Sequence, residues 1–457
     1  MTFLNIILGL LGLGIVVFFH ELGHFLAARL VGINVEAFSI GWGMPILKKK
    51  VGLTEYRLGL FPLGGYCKMQ GDSDYNNEAY VNLENGIVPE KGSYLAAKPA
   101  ARILVCIGGP LFNLLFAIVL LSFLWGIGFE INTRGNKIVL ASEVDSSQVN
   151  PADIAGLKTG DRIVEIEGKK ITYFHELQES IALNPNKQLG LLVERGGRIY
   201  SMNVTPSLDK STGAGKIGIF SWADPVIGTI LDESPAFHAG IKPGDVIKSV
   251  NGHTITNNVD FMKAMLEEPQ EVIIDFYRSG SQMQTNILID EDFKDFGFSW
   301  EAIRYRTPNL SVPAAIAKGI KESYRTLKVT VTSLRLLFMG IDLTQAVSGP
   351  IRITYMMGDT ATQGFSQGFG IGIRSITNFI ALISIALCVM NMLPLPILDG
   401  GMVILFLVEI IRGKPLPPKV VAVFQTCGIV IIIGLMLFAL FGDILFFARQ
   451  FGPEVIP

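Results

Sequence analysis

The sequence predicts a multi-pass α-helical membrane protein with four transmembrane helices, two tandem α+β domains and a membrane-associated β-hairpin. Of the 457 residues, 49% are hydrophobic and only 17% are charged, a balance too apolar for a soluble multidomain protein. The apolar residues are concentrated in blocks long enough to cross a bilayer. A sequence repeat separates the second block from the third. These observations together predict the fold class.

Four apolar blocks are long enough to span a membrane, at about 3–28, 103–125, 376–398 and 421–441. A fifth run, Val403–Ile411, is too short and contains Glu409, so we interpret it as a half-buried helix at the interface. The predicted segments are, in order, a first transmembrane helix (1–30), a cytoplasmic-side loop (31–100), a second transmembrane helix (101–128), two small domains (129–214 and 215–295), a linker (296–370), a third transmembrane helix followed by a short helix (371–412), and a fourth transmembrane helix with a tail (413–457).

Lysine and arginine residues in short loops mark the cytoplasmic side of a membrane protein. The loop after the first block carries nine of them from Arg29 to Arg102, and the loop before the last block carries three from Arg412 to Lys419. Both termini and residues 126 to about 370 are therefore expected outside. Within the linker, residues 313–340 show a basic amphipathic pattern. This pattern fits a helix at the outer membrane surface or, equally, a soluble helix packed under the second small domain.

The external portion contains a duplicated motif. Ala155–Asp161 recurs 84 residues later as Ala239–Asp245, and each copy ends in a Gly-Asp turn before a predicted strand. In the first copy, the strands Leu191–Arg195 and Arg198–Val204 are joined by two glycines, which is a hairpin signal. The order of elements resembles the PDZ domain in the circularly permuted form of bacterial proteases.

The PDZ resemblance implies a peptide-binding role. PDZ grooves bind an extended peptide as an added strand and often hold its C-terminal carboxylate with backbone N–H groups. The segment 215–220, at the head of the second copy, resembles such a carboxylate-binding loop, with Gly215, Ile217, Gly218 and Ile219 as its candidate residues. The alternative is that both domains are rigid spacers without peptide affinity.

The first apolar block ends in His20-Glu21-Leu22-Gly23-His24. Residues i and i+4 of a helix share a face, so His20 and His24 can converge on one metal ion, with Glu21 beside it as a general base. Ionisable groups within a membrane segment are costly unless they are functional. A catalytic zinc normally takes three protein ligands and keeps one position open for water, so one ligand is missing from this helix.

Histidine and cysteine are poor candidates for the third ligand. The other three histidines, His175, His238 and His253, fall in the repeats and are interpreted as ordinary surface residues. The four cysteines form no C-x-x-C motif, which argues against a disulfide framework or a cysteine zinc site. A carboxylate in another apolar block is therefore expected.

The depth of each carboxylate selects one of four candidates. The first block runs inward and residue 20 lies about 25 Å along it, near the cytoplasmic side. Glu130 and Asp443 are expected at outer ends, while Glu409 lies beyond the end of a span, where Arg412 can neutralise it. Asp399 is expected at the cytoplasmic end of the third span, at matching depth. We therefore predict Asp399 as the third ligand.

Two further stretches combine apolar residues with helix breakers. In the stretch from Asn391 to Gly401, Pro394 and Pro396 interrupt a helix, which is tolerated at membrane depth where the backbone lines a cavity or the protein interior. The stretch Thr54–Met69 is too short to span and has a β-hairpin-like pattern.

These motifs together resemble the site-2 protease family of intramembrane zinc metalloproteases. The resemblance is carried by H-E-L-G-H in the first span and N-x-x-P-x-P-x-x-D-G from Asn391 onward, and also includes Gly108-Gly109-Pro110 with Asn113. It implies that His20, His24 and Asp399 hold Zn²⁺ and that Glu21 is the general base. Asn391, with Pro394 and Pro396 nearby, becomes a candidate to bind the substrate backbone or the developing oxyanion, and a structural hydrogen bond is the alternative for Asn391.

The resemblance also implies a way to hold the substrate. Residues 54–69 resemble a membrane re-entrant β-loop of the family. Our hypothesis is that its edge, around Gly64, Gly65 and Tyr66, pairs with an extended substrate through backbone hydrogen bonds.

Tandem PDZ-like domains between the second and third spans are similar to those of family members that act in the sigma-E stress response of Gram-negative bacteria. The implied substrate is a single-span anti-sigma factor that has received a first periplasmic cut, and remnant signal peptides form a second class. A trimmed substrate or peptide would bind the PDZ-like domains, which would exclude bulky substrates, and the chain would lie in the lipid bilayer of the inner membrane. The net charge of −2 gives no basic footprint for nucleic acid.

Two other functions compete with the protease. A membrane-anchored PDZ scaffold with a non-catalytic metal site would have no use for the carboxylate of Glu21. A zinc transporter would need further intramembrane ligands and no large external domain pair.

Overall fold

The computed structural model describes residues 3–71, 90–145, 147, 149–210, 213–266, 270–289, 295–336, 348–366 and 368–451. The chain forms two compact units, Met1–Phe129 with Thr307–Pro457, and Glu130–Arg306. Parts of several predicted segments lie outside the described residues, the longest being 72–89 of the cytoplasmic-side loop, 337–347 of the linker and 452–457 of the tail.

Eleven α-helices lie in the described part of the chain. In order, they are α1 (Phe3–Leu30), α2 (Pro99–Ile127), α3 (Pro151–Ile154), α4 (Phe174–Ala182), α5 (Pro235–His238), α6 (Asn258–Met265), α7 (Val312–Leu336), α8 (Pro350–Ser366), α9 (Phe369–Asn391), α10 (Asp399–Arg412) and α11 (Pro418–Phe451).

Eighteen β-strands lie in the same described ranges. They are β1 (Val35–Val51), β2 (Thr54–Met69), β3 (Glu130–Thr133), β4 (Ile138–Leu140), β5 (Arg162–Ile166), β6 (Lys169–Lys170), β7 (Leu189–Arg195), β8 (Arg198–Val204), β9 (Ser207–Leu208), β10 (Gly215–Lys216), β11 (Ile219–Ser221), β12 (Ile227–Ile230), β13 (Val246–Val250), β14 (His253–Thr254), β15 (Glu271–Arg278), β16 (Ser281–Leu288), β17 (Phe298–Trp300) and β18 (Ile303–Arg306).

Four of the described helices, α1, α2, α9 and α11, are long and apolar enough to cross a membrane. This confirms the four predicted spans. The third is shorter at its end than predicted, because α9 stops at Asn391 and α10 begins at Asp399. Pro394 and Pro396 lie in the interruption, and proline removes the backbone donors that a continuous helix would need. Asp399 therefore opens a new helix instead of closing the third span.

The predicted hairpin within residues 54–69 is wrong. Thr54–Met69 is a single strand, β2, and it pairs antiparallel with β1 across a turn that contains Gly52 in the left-handed region, with φ of 63°. Ser39 of β1 has both Tyr66 and Arg57 of β2 as register partners, so the first part of β1 lies between two parts of β2. The glycines of β2 thus accompany shifts in register and do not form a hairpin turn.

Helix α8 lies within the predicted linker and was not expected there. It packs against α1 and α9, and Met357 of α8 shares a buried apolar cluster with Val16 and Ile380. Because its sequence contains polar side chains, α8 was not recognised as a helix that packs against other helices. The expected amphipathic helix is present as α7, which packs along the second span α2.

The second unit contains two similar α+β repeats. Each has a four-stranded antiparallel sheet, in the order β6-β5-β7-β8 in the first repeat and β14-β13-β15-β16 in the second. Each sheet encloses its own buried apolar cluster. The Gly-Asp turns play the same part in both, since buried Asp161 pairs with Arg195 and buried Asp245 pairs with Arg278, at 2.7 Å each.

The predicted boundary between residues 214 and 215 is wrong. Ile217 is buried in the core of the first repeat, and β11 pairs with β4 of that repeat. The segment 215–220 therefore completes the first repeat instead of opening the second. The second repeat ends in the same way, with β17 paired to β12 and Phe296 packed against its core. The repeats are joined after Ser221.

Candidate active site

Helices α1 and α2 cross where two glycines face each other. A Cβ atom added to Gly108 would lie 2.7 Å from the Gly23 carbonyl oxygen and 2.8 Å from Ala27 Cβ. Small residues at such crossings allow helix backbones to approach closely within a membrane. The backbone of α2 is thereby brought within hydrogen-bond distance of the histidines on α1.

Helix α2 orients the ring of His24. The Nδ1 atom of His24 lies 2.8 Å from the carbonyl oxygen of Val105. A carbonyl oxygen only accepts, so Nδ1 must donate, and the Nε2 atom of neutral His24 carries the lone pair that a metal needs. No side chain in the sequence signals the role of Val105, because its contribution is a backbone carbonyl.

Asn113 of α2 lies against the ring of His20. Its side chain is fully buried, and its amide nitrogen is 3.2 Å from His20 Nδ1. The amide oxygen has no hydrogen-bond partner among the described residues. Rotating the amide by 180° would turn this oxygen to the ring, where it would accept from Nδ1–H and free His20 Nε2 as a ligand. In the sequence, Asn113 stands out only as part of the family resemblance, together with Gly108-Gly109-Pro110.

Asp399, at the start of α10, completes a cluster with the two histidines. Its carboxylate oxygens lie 3.4 Å from His20 Nε2 and 3.5 Å from His24 Nε2, and the two Nε2 atoms are 3.2 Å apart. Ligands held 2.0–2.1 Å from a tetrahedral zinc lie about 3.3 Å from one another. The donor types and their spacing therefore fit Zn²⁺ with one position left for a fourth ligand.

Glu21 contacts the strand β2. Its carboxylate interacts electrostatically with the backbone N–H of Cys67. A Cβ atom added to Gly65 would lie 3.2 Å from Glu21 Cγ, so the Gly65 backbone packs directly against the glutamate. Next to Gly65, the Tyr66 hydroxyl accepts from Arg57 at 2.9 Å. Thus β2 positions the predicted base and lies beside it.

The stretch between α9 and α10 holds the remaining predicted residues. The amide nitrogen of Asn391 is 3.2 Å from His20 Nε2, at the centre of the cluster. Pro394 is exposed, whereas Pro396 packs closely against Gly428 of α11. Ile397 has φ of 76°, a left-handed conformation that is unusual for a β-branched residue. Such conformations cost about 1–3 kcal/mol and are concentrated at functional sites.

The structure brings one group of predicted residues together: His20, Glu21, His24, Gly65, Asn391 and Asp399. The candidate carboxylate-loop residues Gly215, Ile217, Gly218 and Ile219 belong to the other unit. There Ile217 is a core residue, and its carbonyl and that of Gly218 accept from the backbone N–H groups of Ala152 and Ala141 at 2.9 Å.

Comparison with known proteins supports an enzyme with this site. The model of peptidase family M50 matches residues 8–435. A protein of Treponema pallidum named "Putative zinc metalloprotease" is 35% identical over 97% of this chain and 99% of its own length. Proteins with the same descriptive name in Borreliella burgdorferi and Neisseria meningitidis are each 30% identical, over 95% and 94% of this chain and 96% of their own lengths.

The family match covers both the H-E-x-x-H helix and Asp399, and the relatives extend over nearly the whole chain. The four apolar helices identify a membrane protein. The chain therefore belongs to peptidase family M50, the site-2 protease family, and is a zinc metalloprotease.

Proposed function

We propose that this metalloprotease cleaves the transmembrane segment of a single-span protein within the membrane. The observation that carries the proposal is the position of Glu21, which lies beside the cluster of His20, His24 and Asp399 and packs against Gly65 of β2. In this proposal His20, His24 and Asp399 hold the ion. Bound zinc supplies Lewis acidity and activates water at neutral pH.

Glu21 performs the proton transfers in this proposal. Its carboxylate takes a proton from the attacking water and later delivers it to the leaving amine. The nearby Cys67 N–H favours the ionised form of Glu21, which is the form that accepts a proton. Asn391, with an N–H donor 3.2 Å from His20 Nε2, is placed to donate to the substrate carbonyl or to the oxyanion that develops on it.

The substrate is held as an extended strand. A helical substrate hides its carbonyl groups in hydrogen bonds to residues four positions away, so it must unwind before cleavage. In the described residues, the register gives Gly65 and Tyr66 a partner only in β1, which leaves the other edge of β2 for an added strand. Because Gly65 packs on Glu21, a strand added there would lie beside the base.

Proline substitution tests this substrate strand. Alternate residues direct their N–H groups to opposite sides of a strand, so either Gly65→Pro or Tyr66→Pro removes a donor from the open edge. We expect the proline variant that loses this donor to lower kcat/KM at least tenfold while retaining zinc. Tyr66→Phe keeps the backbone intact and is the control. Unchanged turnover in both proline variants would exclude strand addition at this edge.

In this proposal, the unit Glu130–Arg306 lies on the periplasmic side of the inner membrane. The lysine and arginine bias of the loops supports this orientation, with both termini periplasmic and the zinc site towards the cytoplasmic side. The two repeats of this unit serve as PDZ-like domains that exclude substrates with bulky external domains. The substrate class is then an anti-sigma factor trimmed by a first periplasmic cut, with remnant signal peptides as a second class.

The first repeat is the better candidate for binding a trimmed C-terminus. In the second repeat, the aromatic rings of Phe298 and Trp300 on β17 both pack against Phe261 of α6, with centroids 5.4 Å apart. The corresponding residues of β11 in the first repeat are Ile219 and Ser221. The smaller side chains of β11 fill less space than the aromatic rings of β17, which favours peptide binding at the first repeat.

Excising the repeats tests the filter. The Thr307 N–H donates to the Phe129 carbonyl oxygen at 2.9 Å, and the Phe129 N–H donates to the Thr307 hydroxyl oxygen at 2.8 Å. These two residues are therefore adjacent, and a short Gly-Ser linker can replace Glu130–Arg306. We expect the shortened enzyme to cleave untrimmed substrate. Retained zinc would show that its site is intact. Continued dependence on a first cut in such a zinc-loaded protein would refute the filter.

Glu21→Gln tests the catalytic proposal itself. A membrane-embedded reporter and the zinc content are measured on the same purified protein. Loss of about 10²–10⁴-fold in cleavage with zinc retained is expected, because the amide cannot accept the proton. Glu233→Gln, an exposed glutamate of the second unit, is the control. Full cleavage by Glu21→Gln would instead support a metal site without a catalytic role for this carboxylate.

A further inference from the structure

Helix α2 contacts both helices that carry the proposed zinc ligands, α1 and α10. It meets the histidines of α1 through Val105 and Asn113. It also packs along α10, whose first residue is Asp399. Any contact that fixes α10 on α2 therefore bears on the distance between Asp399 and the two histidines.

One such contact is a buried ion pair. Arg102 of α2 donates to the carboxylate of Glu409 on α10 at 2.7 Å, and their side chains are only 6% and 2% exposed. The Arg102 guanidinium also lies 4.5 Å from the centroid of the Phe406 ring, one turn before Glu409. The prediction that Arg412 neutralises Glu409 is wrong, because Arg412 is exposed and Arg102 occupies that position.

The second oxygen of Glu409 is also used. It accepts from the backbone N–H of Leu416 at 3.2 Å, in the segment that leads from α10 to α11. Leu416 packs in a buried cluster with Leu95 and Leu405. Glu409 thus joins α2, α10 and the start of the next span through a single carboxylate.

The pair lies on the same two helices as the metal-site contacts. Ten residues separate Asp399 from Glu409, or about 15 Å along α10. On α2, Arg102 lies one turn from Val105, whose carbonyl orients His24. A rigid helix transmits a small tilt at Glu409 to Asp399, and ligand distances must be kept within about 0.2 Å for a metal to bind well.

A contribution to folding stability does not by itself explain the buried Arg102–Glu409 pair. A buried ion pair must overcome the desolvation of both charges, and apolar residues of similar volume are often as stabilising. The directional hydrogen bond from Arg102 to Glu409 restricts how α2 and α10 lie against each other. We propose that the Arg102–Glu409 pair is a positioning contact that holds Asp399 at the distance from His20 and His24 that zinc requires. This inference rests on the proposed zinc site.

The test measures metal binding in the full-length protein in detergent. Zinc affinity is obtained by chelator competition, and ligand geometry from the visible absorption of the Co²⁺-substituted protein. We expect Glu409→Gln and Arg102→Met each to weaken zinc binding about 10–100-fold, as for other groups that orient ligands, and to change the Co²⁺ spectrum. The Arg102→Met/Glu409→Gln double variant should bind zinc no more weakly than the single variant with the lower affinity. Asp161→Asn, which breaks a comparable pair in the second unit, should change neither readout.

The outcomes separate this inference from the zinc site itself. If Asp399→Ala binds zinc as the unchanged protein does, the proposed site is wrong. If Asp399→Ala loses zinc but Glu409→Gln and Arg102→Met stay within twofold with an unchanged Co²⁺ spectrum, only the positioning role is overturned. Should both substitutions prevent folding, Arg102→Lys keeps the charge with less geometric restraint. It must then show weaker zinc binding, and unchanged affinity would overturn the proposal.

Discussion

Gly109 of α2 faces the imidazole of His20 so closely that an added Cβ atom would lie 2.8 Å from His20 Cε1, and it would also overlap His24 Nε2. Both rings therefore occupy space that any larger residue would take. The contact is made on the side of His24 where the lone pair for the metal is exposed. Gly109 is thus part of the metal site although it contributes no ligand.

Gly109→Ala should weaken zinc binding. The methyl group would push one or both rings away from Asp399, and displacement of about 1 Å at a catalytic site can cost 10²-fold in rate. We expect at least a tenfold loss of zinc affinity and a matching loss of cleavage. Gly126→Ala on the same helix is the control, because its added Cβ would lie 3.9 Å from the nearest atom. Normal zinc content in Gly109→Ala would contradict the close packing described here.

Asn113 should act through the tautomer of His20. Asn113→Asp retains an oxygen that accepts from His20 Nδ1–H, whereas Asn113→Leu removes the acceptor at similar volume. We expect Asn113→Leu to weaken zinc binding by about 10–100-fold and Asn113→Asp to bind zinc as tightly as the unchanged protein or more tightly. Chelator competition on both proteins measures the difference. Equal loss in the two variants would point to packing around Asn113 instead of to hydrogen bonding with His20.

A site residue can be predicted from the sequence when its own side chain and spacing indicate its role. His20, Glu21 and His24 share a helix, so their spacing is readable, and membrane depth then selected Asp399. Val105 contributes only a carbonyl group, which no side chain reveals. Glu409 was assigned to its nearest basic residue in sequence, Arg412, while its actual partner, Arg102, lies 307 residues away.

The fold was predictable where burial in lipid dominates and less so where tertiary contacts decide. Uniformly apolar helices such as α1 and α11 were found, because lipid selects their composition. Helix α8 was missed because it buries polar residues against other helices. In β2, the glycines indicated a break in regular pairing, but the partner strand β1 lies outside that stretch and determines the register.

Zinc removal should loosen one unit and leave the other unchanged. The proposed ligands lie on α1 and α10, and a metal that binds only the folded state stabilises it by about 2.7 kcal/mol when its free concentration is 100 times Kd. After chelation we expect faster hydrogen exchange in those helices and unchanged exchange in β5, β7 and β8 of the second unit. A His24→Ala protein should not respond to the chelator. Equal acceleration in both units would instead indicate general unfolding.

Asp443 of α11 should hold α8 in place. Its carboxylate is 1% exposed and accepts from the backbone N–H groups of Gly349, Ile351 and Arg352 at 2.8–3.2 Å, which caps the first turn of α8. Removing an N-cap costs about 1–2 kcal/mol, and burial of the freed N–H groups adds to this. Asp443→Ala should therefore increase hydrogen exchange and protease cleavage within Pro350–Ser366. Asp443→Asn retains one acceptor oxygen and should lose less. If Asp443→Ala left α8 as protected as before, packing against α1 and α9 alone would hold it.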